Sequence, residues 1–457
     1  MKIIVLGAGQ VGSTVARSLA LEGNEVTVVD IDIARLKEVD DSSDVKILVG
    51  PASYPDVLRK AGAEDCDMII AATNSDETNI VAIQIAYTLY KTPAKIARIR
   101  SREYMREKNL FNNEHIPIDV IISPEDLVTD HIRRIIEHPG AIQVLDFARG
   151  TVRMVGVEVQ RGAPMAGLTL ARLPDLLGDF ETRVMAVYRG DEVIIPTGTT
   201  LIREEDNVFF LSERKHTAAV MSQFHHEDEP CKRVMIAGGG NIGRLLAQKL
   251  ERHYRVKIIE ANETRTTELA SDLSSTMVLH GDVANQDMLR DEGVEQMDVF
   301  CALTNDDEAN ILSAMLAKRL GARKIMSLIG RPAYVELVER NIIDVAISPQ
   351  QITIGALLTL IRRGDVVAVH SLRRGSAEAL EGVAHGDRDT SKLVGRTIGE
   401  IKLPKSANIG IVVRGDEVLI GHHDLMIEPE DHLIVLITNT DQVADVEKLF
   451  QVSVTFV

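Results

Sequence analysis

Short apolar runs punctuate the first 123 residues, at positions 3–6, 26–29, 46–49, 68–72, 96–99 and 119–122, and helical periodicity fills the gaps between them. Continuous apolar runs this short, alternating with helices, predict parallel strands buried on both faces, hence a doubly wound α/β sheet. Positions 232–348 repeat the pattern. Behind each sheet a Ser-Pro pair opens an amphipathic helix, near 125–137 and 350–362. Strand-rich stretches follow at about 143–212 and 366–437, broken by Gly, Asp and Pro turns, and these predict small α+β domains. The chain therefore divides into four expected domains: 1–124, 140–228, 232–348 and 366–453. A polar linker with a proline break, 225–230, joins the two halves.

The halves are copies. Gly7-Ala8-Gly9-Gln10-Val11-Gly12 recurs 231 residues later as Gly238-Gly239-Gly240-Asn241-Ile242-Gly243, and Thr73–Asn79 recurs at the same offset as Thr304–Asn310. Ser123-Pro124-Glu125 recurs as Ser348-Pro349-Gln350, and Arg189-Gly190-Asp191 as Arg414-Gly415-Asp416, both offset by 225. Landmarks in one order at near-constant spacing indicate duplication of a whole globular unit, and two copies are too few for a solenoid.

Each Gly-x-Gly-x-x-Gly follows a strand and opens a helix. In that setting the first glycine makes a tight turn, the second admits a pyrophosphate, and the third lets helix and strand pack closely; the helix N-terminus then faces the phosphates. The two sheets are accordingly expected to be Rossmann-like. Asp30 and Glu260 end the second strand of each copy, where a carboxylate accepts hydrogen bonds from ribose hydroxyls and repels a 2′-phosphate, which favours NAD over NADP. Thr73-Asn74 and Thr304-Asn305 end the fourth strands and face the ligand crevice while also serving as helix caps. Arg98 and Arg100 follow the fifth strand and are candidates for a phosphate or ribose. Aligning Ile96 with Ile325 places Ser327 and Ile329 at their positions, so the second copy lacks both arginines. After the third strands stand Gly50-Pro51 and Gly281-Asp282; Asp282 offers an acceptor to adenine or ribose, and Pro51 does not. The two sites are expected to differ.

Composition narrows the classes. The net charge of −17 disfavours nucleic acid and anionic lipid and suits a basic protein surface. The three cysteines, Cys66, Cys231 and Cys301, lack CxxC or metal spacing and are expected to be reduced thiols of a cytosolic protein. No run reaches the length of a membrane span, and the N-terminus enters a strand directly, without a signal peptide. Three motifs take the plain reading. Tyr87-x-x-x-Lys91 has the spacing of short-chain dehydrogenases, but the second copy has Lys318 and Ala322 there. His225-His226 belongs to the linker, and Arg189-Gly190-Asp191, being repeated before a β-rich run, is a hairpin turn.

With these landmarks in place the whole chain resembles the TrkA family, the peripheral NAD-binding subunits of bacterial Trk potassium-uptake systems. The resemblance rests on MKIIVLGAGQVG, Thr73–Asn79, Ile96-Ala-Arg-Ile-Arg, the segment 234–243, TNDDEANILSAMLAKRL at 304–320 and AISPQQ at 346–351. It implies two RCK units, each a Rossmann-like subdomain plus a smaller one. It implies a homotetrameric ring on the cytoplasmic face of the inner membrane, beneath a potassium-conducting Trk membrane subunit. NAD(H), ATP and ADP are then regulators of a protein that is not an enzyme. Related single-unit subunits can carry an arginine just after the second glycine, where it can touch a nucleotide phosphate; Gln10 and Asn241 stand there in this chain. The alternative class is an NAD-dependent oxidoreductase, which needs a general acid/base and a hydride-acceptor pocket in a substrate domain. No such constellation recurs in 143–225 and 366–457.

Overall fold

The computed structural model describes the chain except residues 42, 108, 179, 191, 226–229, 339–341, 362–364, 373–375 and 453–457. Most of the expected linker, Asp191 and the expected helix end at Arg362 thus lie outside the described residues. The chain forms two compact units. One comprises residues 1–128 with Pro349–Leu357, the other Thr129–Ser348 with Leu358–Val457.

The first unit holds a parallel sheet of β1 (Lys2–Leu6), β2 (Glu25–Asp30), β3 (Lys46–Val49), β4 (Met68–Ala71), β5 (Ala94–Arg98) and β6 (Val120–Ile122). Its order is β3-β2-β1-β4-β5-β6. The strands are connected by α1 (Gln10–Leu21), α2 (Ile33–Asp40), α3 (Pro55–Lys60), α4 (Asp76–Ile85) and α5 (Arg102–Arg106). Ile3, Ile4, Val5 and Leu6 are all buried, as are Met68 through Ala71, which explains why these strands are apolar without alternation. Strand order reverses between β1 and β4, so the carboxyl ends of these two strands open the crevice in which such sheets take ligands. α4 is capped by the Ser75 hydroxyl, which accepts from the Thr78 N–H at 3.1 Å, and Asp76 and Glu77 occupy its first turn. It runs on into one turn of π-helix that stops at Lys91, whose φ is +58°.

The second unit contains the same sheet again: β12 (Arg233–Ala237), β13 (Arg255–Glu260), β14 (Met277–His280), β15 (Val299–Ala302), β16 (Lys324–Leu328) and β17 (Val345–Ile347), in the order β14-β13-β12-β15-β16-β17. Its helices are α9 (Asn241–Leu250), α10 (Glu263–Asp272), α11 (Gln286–Asp291), α12 (Asp307–Leu320) and α13 (Pro332–Val338). The helix after the first sheet, α6 (Pro124–Glu137), has its counterpart in α14 (Pro349–Ile361). Thr129 and Asp130 of α6 accept hydrogen bonds from the Lys249 ammonium of α9 at 3.0 and 2.9 Å, and Lys324 of β16 donates to the carbonyls of Pro139 and Ala141 just past α6.

The small domains are antiparallel. The first comprises β7 (Ala141–Phe147), β8 (Val152–Glu158), α7 (Leu173–Leu177), β9 (Thr182–Arg189), β10 (Glu192–Ile194), β11 (Asn207–Glu213) and α8 (Thr217–Met221). The second comprises β18 (Val366–Leu372), β19 (Ala377–Val383), β20 (Ala407–Arg414), β21 (Glu417–Ile420), β22 (His432–Ile437) and α15 (Val443–Glu447). The Arg-Gly turns are hairpins: Arg189 pairs with Glu192 and Arg414 with Glu417, with Gly190 and Gly415 at φ +60° and +58°. The arginines repeat because each makes a bidentate ion pair with a buried acid, Arg189 with Asp206 and Arg414 with Asp431.

The two small sheets share one apolar core. Met185, Tyr188, Phe209 and Leu211 of the first and Ile411, Val413, Ile434 and Leu436 of the second belong to a single buried cluster. At Gly410, which matches Met185 in the repeat, a Cβ would lie 2.2 Å from the Met185 sulfur, so a side chain there would require the methionine to shift. Gln143 donates to the Ser371 carbonyl, and the Ala148 N–H donates to the buried Glu381. Repetition alone suggested separable halves; this shared core means that cutting between them would expose much of it to water.

Candidate crevices at the sheet switch points

The Gly loops follow β1 and β12, and the six glycines at the repeated motif positions divide by cause. Gly7 sits at φ +101°, and a Cβ there would meet the Ala72 carbonyl oxygen at 2.9 Å and the Thr73 Cα at 3.0 Å. A Cβ on Gly12 would lie 1.9 Å from the Gly7 oxygen. Gly238 and Gly243 repeat this, at φ +102° and at 2.0 Å from the Gly238 oxygen. These four are required by the protein's own packing. Gly9 and Gly240 are different. Each is extended, at φ −71° and −64°, and a Cβ on either would meet nothing within 4 Å. Both occupy the N-cap of the following helix, α1 or α9, with no side chain capping it and no acid in the first turn. Two helix N-termini thus present uncapped N–H groups and a positive dipole end, fronted by glycines that the chain itself does not need. Gln10 and Asn241 are exposed, Val11 and Ile242 half-buried.

The acids at the ends of β2 and β13 hold these loops. Asp30 accepts from the Ala8 N–H at 2.6 Å and the Asp32 N–H at 2.9 Å; Glu260 accepts from Gly239 and Asn262, both at 2.8 Å. A carboxylate offers about four lone-pair sites, so each keeps acceptor capacity for ribose hydroxyls while ordering the loop beside it. The sequence did not reveal this second role. Glu260 is buried, whereas Asp30 is half-buried. Directly after Asp30 stands Ile31, 73% exposed beside the crevice; Ala261 replaces it in the second copy. Pro51 and Asp282 are both exposed after the third strands, and Asp282 accepts from the Ala284 N–H of its own turn at 2.9 Å.

On the other side of the switch point, Thr73 and Thr304 are tied down by residues that sequence reasoning did not assign to the site. The Thr73 hydroxyl donates to the Asn79 side-chain oxygen at 2.7 Å, and the fully buried Asn79 amide donates to the Arg98 carbonyl at 2.9 Å. Asn310 joins Thr304 to the Leu328 carbonyl in the same way, at 2.7 and 3.0 Å. These two asparagines fix the carboxyl ends of neighbouring strands. Asn74 and Asn305 remain exposed. The buried Asp76 accepts from the N–H groups of Arg100 and Ser101, and Asp307 from those of Gly330 and Arg331.

These bonds correct the alignment of the fifth strands. Met68 pairs with Ala94 and Val299 with Lys324. Arg98 therefore corresponds to Leu328 and Arg100 to Gly330, one residue beyond the Ser327 and Ile329 given by matching Ile96 with Ile325. The second copy still lacks both arginines at matched positions, but Arg331 stands next to one of them and pairs with Glu308 at 2.7 Å. In the first copy, Arg100 donates to the Asn74 carbonyl and lies 3.6 Å from Asp76, while Arg98 pairs with Glu125 of α6 at 2.8 Å.

Tyr87 and Lys91 precede β5 and so lie at the amino ends of the strands, away from the crevice, where Lys91 and Lys95 stack on the Tyr87 ring. The cysteines are buried; desolvation pushes the Cys66 thiol up to about 11, Cys231 up to about 12, and Cys301 upward as well. None is a thiolate at neutral pH.

Comparison with known proteins accords with this architecture. The TrkA-N domain family matches residues 3–124 and 234–349, and the TrkA-C domain family residues 154–225 and 388–451. The Trk system potassium uptake protein TrkA of Halomonas elongata is 54% identical over 456 residues, spanning all of both chains. That of Vibrio alginolyticus is 52% identical over 457 residues, again spanning both chains fully. Among solved structures, the GsuK RCK domain superposes with a TM-score of 0.63 at 17% identity, over 98% of this chain and 94% of that one. The GsuK channel bound to NAD gives 0.62 at 17%, over 98% and 78%. With domain matches over most of its length and full-length identity above one half, the chain belongs to the TrkA family of Trk-system potassium uptake proteins.

Proposed function

We propose that this chain is a regulatory subunit that binds NAD(H) and adenine nucleotides at two unequal sites, without turning them over, and gates potassium uptake through a Trk-type membrane subunit. The observation that carries the binding is the pair Gly9 and Gly240. Nothing in the chain's packing or backbone geometry requires glycine there, whereas a pyrophosphate approaching the uncapped helix N-terminus does. The first site is formed by the loop Gly7–Gly12, with Asp30 for the ribose, Ile31 and Pro51 toward the adenine, and Thr73, Asn74, Arg98 and Arg100 toward the remainder of the ligand. The second uses Gly238–Gly243, Glu260, Asp282, Thr304 and Asn305. The relatives are named as potassium uptake proteins, and the solved neighbour bound to NAD has the same fold, which supports the reading. No helix among the described residues is long and apolar enough to cross a membrane, so the potassium path belongs to a partner. We place the chain on the cytoplasmic face of the inner membrane as a homotetrameric ring, its charge of −17 suiting a basic docking face.

Calorimetry of the full chain tests the binding. NADH should outcompete NADPH at the first site because Asp30 repels a 2′-phosphate. Asp30→Ala should weaken NADH by about 1–3 kcal/mol, the value of hydrogen bonds to a charged group. Equal affinity for NADH and NADPH in the parent, or unchanged NADH affinity in the variant, would place Asp30 outside the site. The measurement requires the intact chain, since the small domains share a core.

A further inference from the structure

The turns after the third strands share one backbone and differ in lining. The Gly50 N–H donates to the Asp30 carbonyl at 2.9 Å, and the Tyr54 N–H to the Pro51 carbonyl at 3.1 Å. Gly281 and Asn285 repeat these bonds to Glu260 and Asp282, both at 3.0 Å. The register is shared too, since Asp30 pairs with Val49 and Glu260 with His280. Each ribose acid therefore stands beside the residue that ends the third strand. Next to Asp30 stand Ile31, Val49 and Pro51, all exposed and none with a polar side-chain atom. The matching positions next to Glu260 hold Ala261, His280 and Asp282, again all exposed. His280 is held in one tautomer. Its Nε2 lies 3.0 Å from the Ala261 carbonyl oxygen, which can only accept, so Nε2 carries the hydrogen and Nδ1 of the neutral ring keeps a lone pair. The imidazole thus spans from the end of β14 to the residue after the ribose acid. Asp282 uses Oδ1 for the Ala284 N–H at 2.9 Å, which leaves Oδ2 to accept from a ligand.

We propose that His280 and Asp282 make the second site a reader of the adenine amino group, whereas the first site holds the base by apolar contact and does not read it. The proposal rests on nucleotide binding in both crevices. The 6-amino group of adenine carries two hydrogens, and this wall offers two acceptors for them, His280 Nδ1 and Asp282 Oδ2. A 6-oxo purine presents an oxygen in the same place. That oxygen meets a lone pair and a carboxylate, and both are left unpaired. A site built to hydrogen-bond its ligand rejects an analogue lacking the bond far more strongly than an apolar pocket does. Ile31, Val49 and Pro51 offer either base the same apolar contact. The two copies thus differ in which part of the nucleotide they demand: the second requires adenine, and the first accepts a purine of that shape.

Hydrogen–deuterium exchange on the full chain tests this, titrated with NADH and with reduced nicotinamide hypoxanthine dinucleotide, which differs in carrying a 6-oxo base. Amides of residues 7–12 report the first site and amides of 238–243 the second. Half-protection at 238–243 should need at least roughly tenfold more of the hypoxanthine dinucleotide than of NADH, as the loss of one hydrogen bond to a charged group implies. At 7–12 the two should differ by less than about threefold, the ratio left when neither base gains a hydrogen bond. Asp282→Asn keeps an acceptor for the Ala284 N–H and puts an amino group where Oδ2 stood, so it should shift the preference at 238–243 toward the hypoxanthine dinucleotide. His280→Phe keeps a flat ring without Nδ1, and should shrink the discrimination while NADH still protects the loop. Equal discrimination at the two sites of the parent, or the parent's preference unchanged in either variant, overturns the proposal. Absence of NADH protection at either loop would overturn the binding reading of that crevice itself, and the contrast between the sites with it.

Discussion

A valine at position 9 should abolish nucleotide binding at the first site and leave the fold intact. The Cβ of residue 9 faces open space, so the added side chain meets only what enters the crevice. Stability should stay within about 1 kcal/mol of the parent, the scale of a surface or N-cap change. Affinity should fall more than roughly 100-fold, because the branched side chain occupies the approach of the pyrophosphate to the helix N–H groups. Gly240→Val should do the same at the second site, so each variant retains one site and their titrations separate the two ligand preferences within an intact chain. Gly12→Ala provides the contrast. Its Cβ would lie 1.9 Å from the Gly7 oxygen, and the variant should lose several kcal/mol of stability, on the scale of severe overpacking. Thermal melting beside calorimetry distinguishes the cases. If Gly9→Val melts like Gly12→Ala, or binds like the parent, the glycine is structural after all.

Acid should weaken the joint between α6 and the small-domain sheets well before carboxylates titrate. His131 of α6 and His370 of β18 are within electrostatic reach of each other and of Arg134, with Asp146 of β7 and Arg153 of β8 completing the cluster. Desolvation, aided by the Arg134 charge, lowers His131 to about 3 and His370 to about 4. His138 is lowered as well, chiefly by desolvation. Its Nδ1 faces the Arg134 carbonyl and its Nε2 faces an Arg153 N–H at 2.9 Å, a set of contacts satisfied only by the neutral ring with hydrogen on Nδ1. With folded values below the unfolded value near 6.5, the unfolded state binds more protons between about pH 6.5 and 4. Stability is therefore full above that range and falls as pH drops through 6.5. Both residues keep some exposed surface, so a discounted figure for His131 and His370 together is about 3 kcal/mol lost between pH 7.5 and 5. Urea midpoints across that range should fall in the parent and fall much less in His131→Gln/His370→Gln. A parent midpoint independent of pH down to 5 would contradict the assignment.

The parallel sheets were legible because their strands are buried on both faces, and an apolar run such as Ile3–Leu6 has no other economical use. The copied landmarks carried the rest of the architecture, down to the Arg189 and Arg414 hairpins. What escaped was register and partnership. A slip of one residue along β5 keeps apolar opposite apolar, so Ile96 and Ile325 matched equally well in the wrong frame; the polar bonds of Asn79 and Asp76 set the true one. The continuous apolar runs of β9 and β20 show that both faces are covered without showing that each strand helps cover the other across 225 residues. Asp30 looked like a ligand residue, and its hydrogen bond to Ala8 became visible only when the loop took shape around it.

Nucleotide binding by this family member should control potassium flux. The direct measurement is potassium flux through the Trk-type membrane subunit in proteoliposomes, with and without the chain, under ADP, ATP, NAD⁺ and NADH in turn. Flux should depend on the chain, change between ATP and ADP, and lose that change in Gly9→Val. Flux indifferent to the chain and to every nucleotide would contradict it.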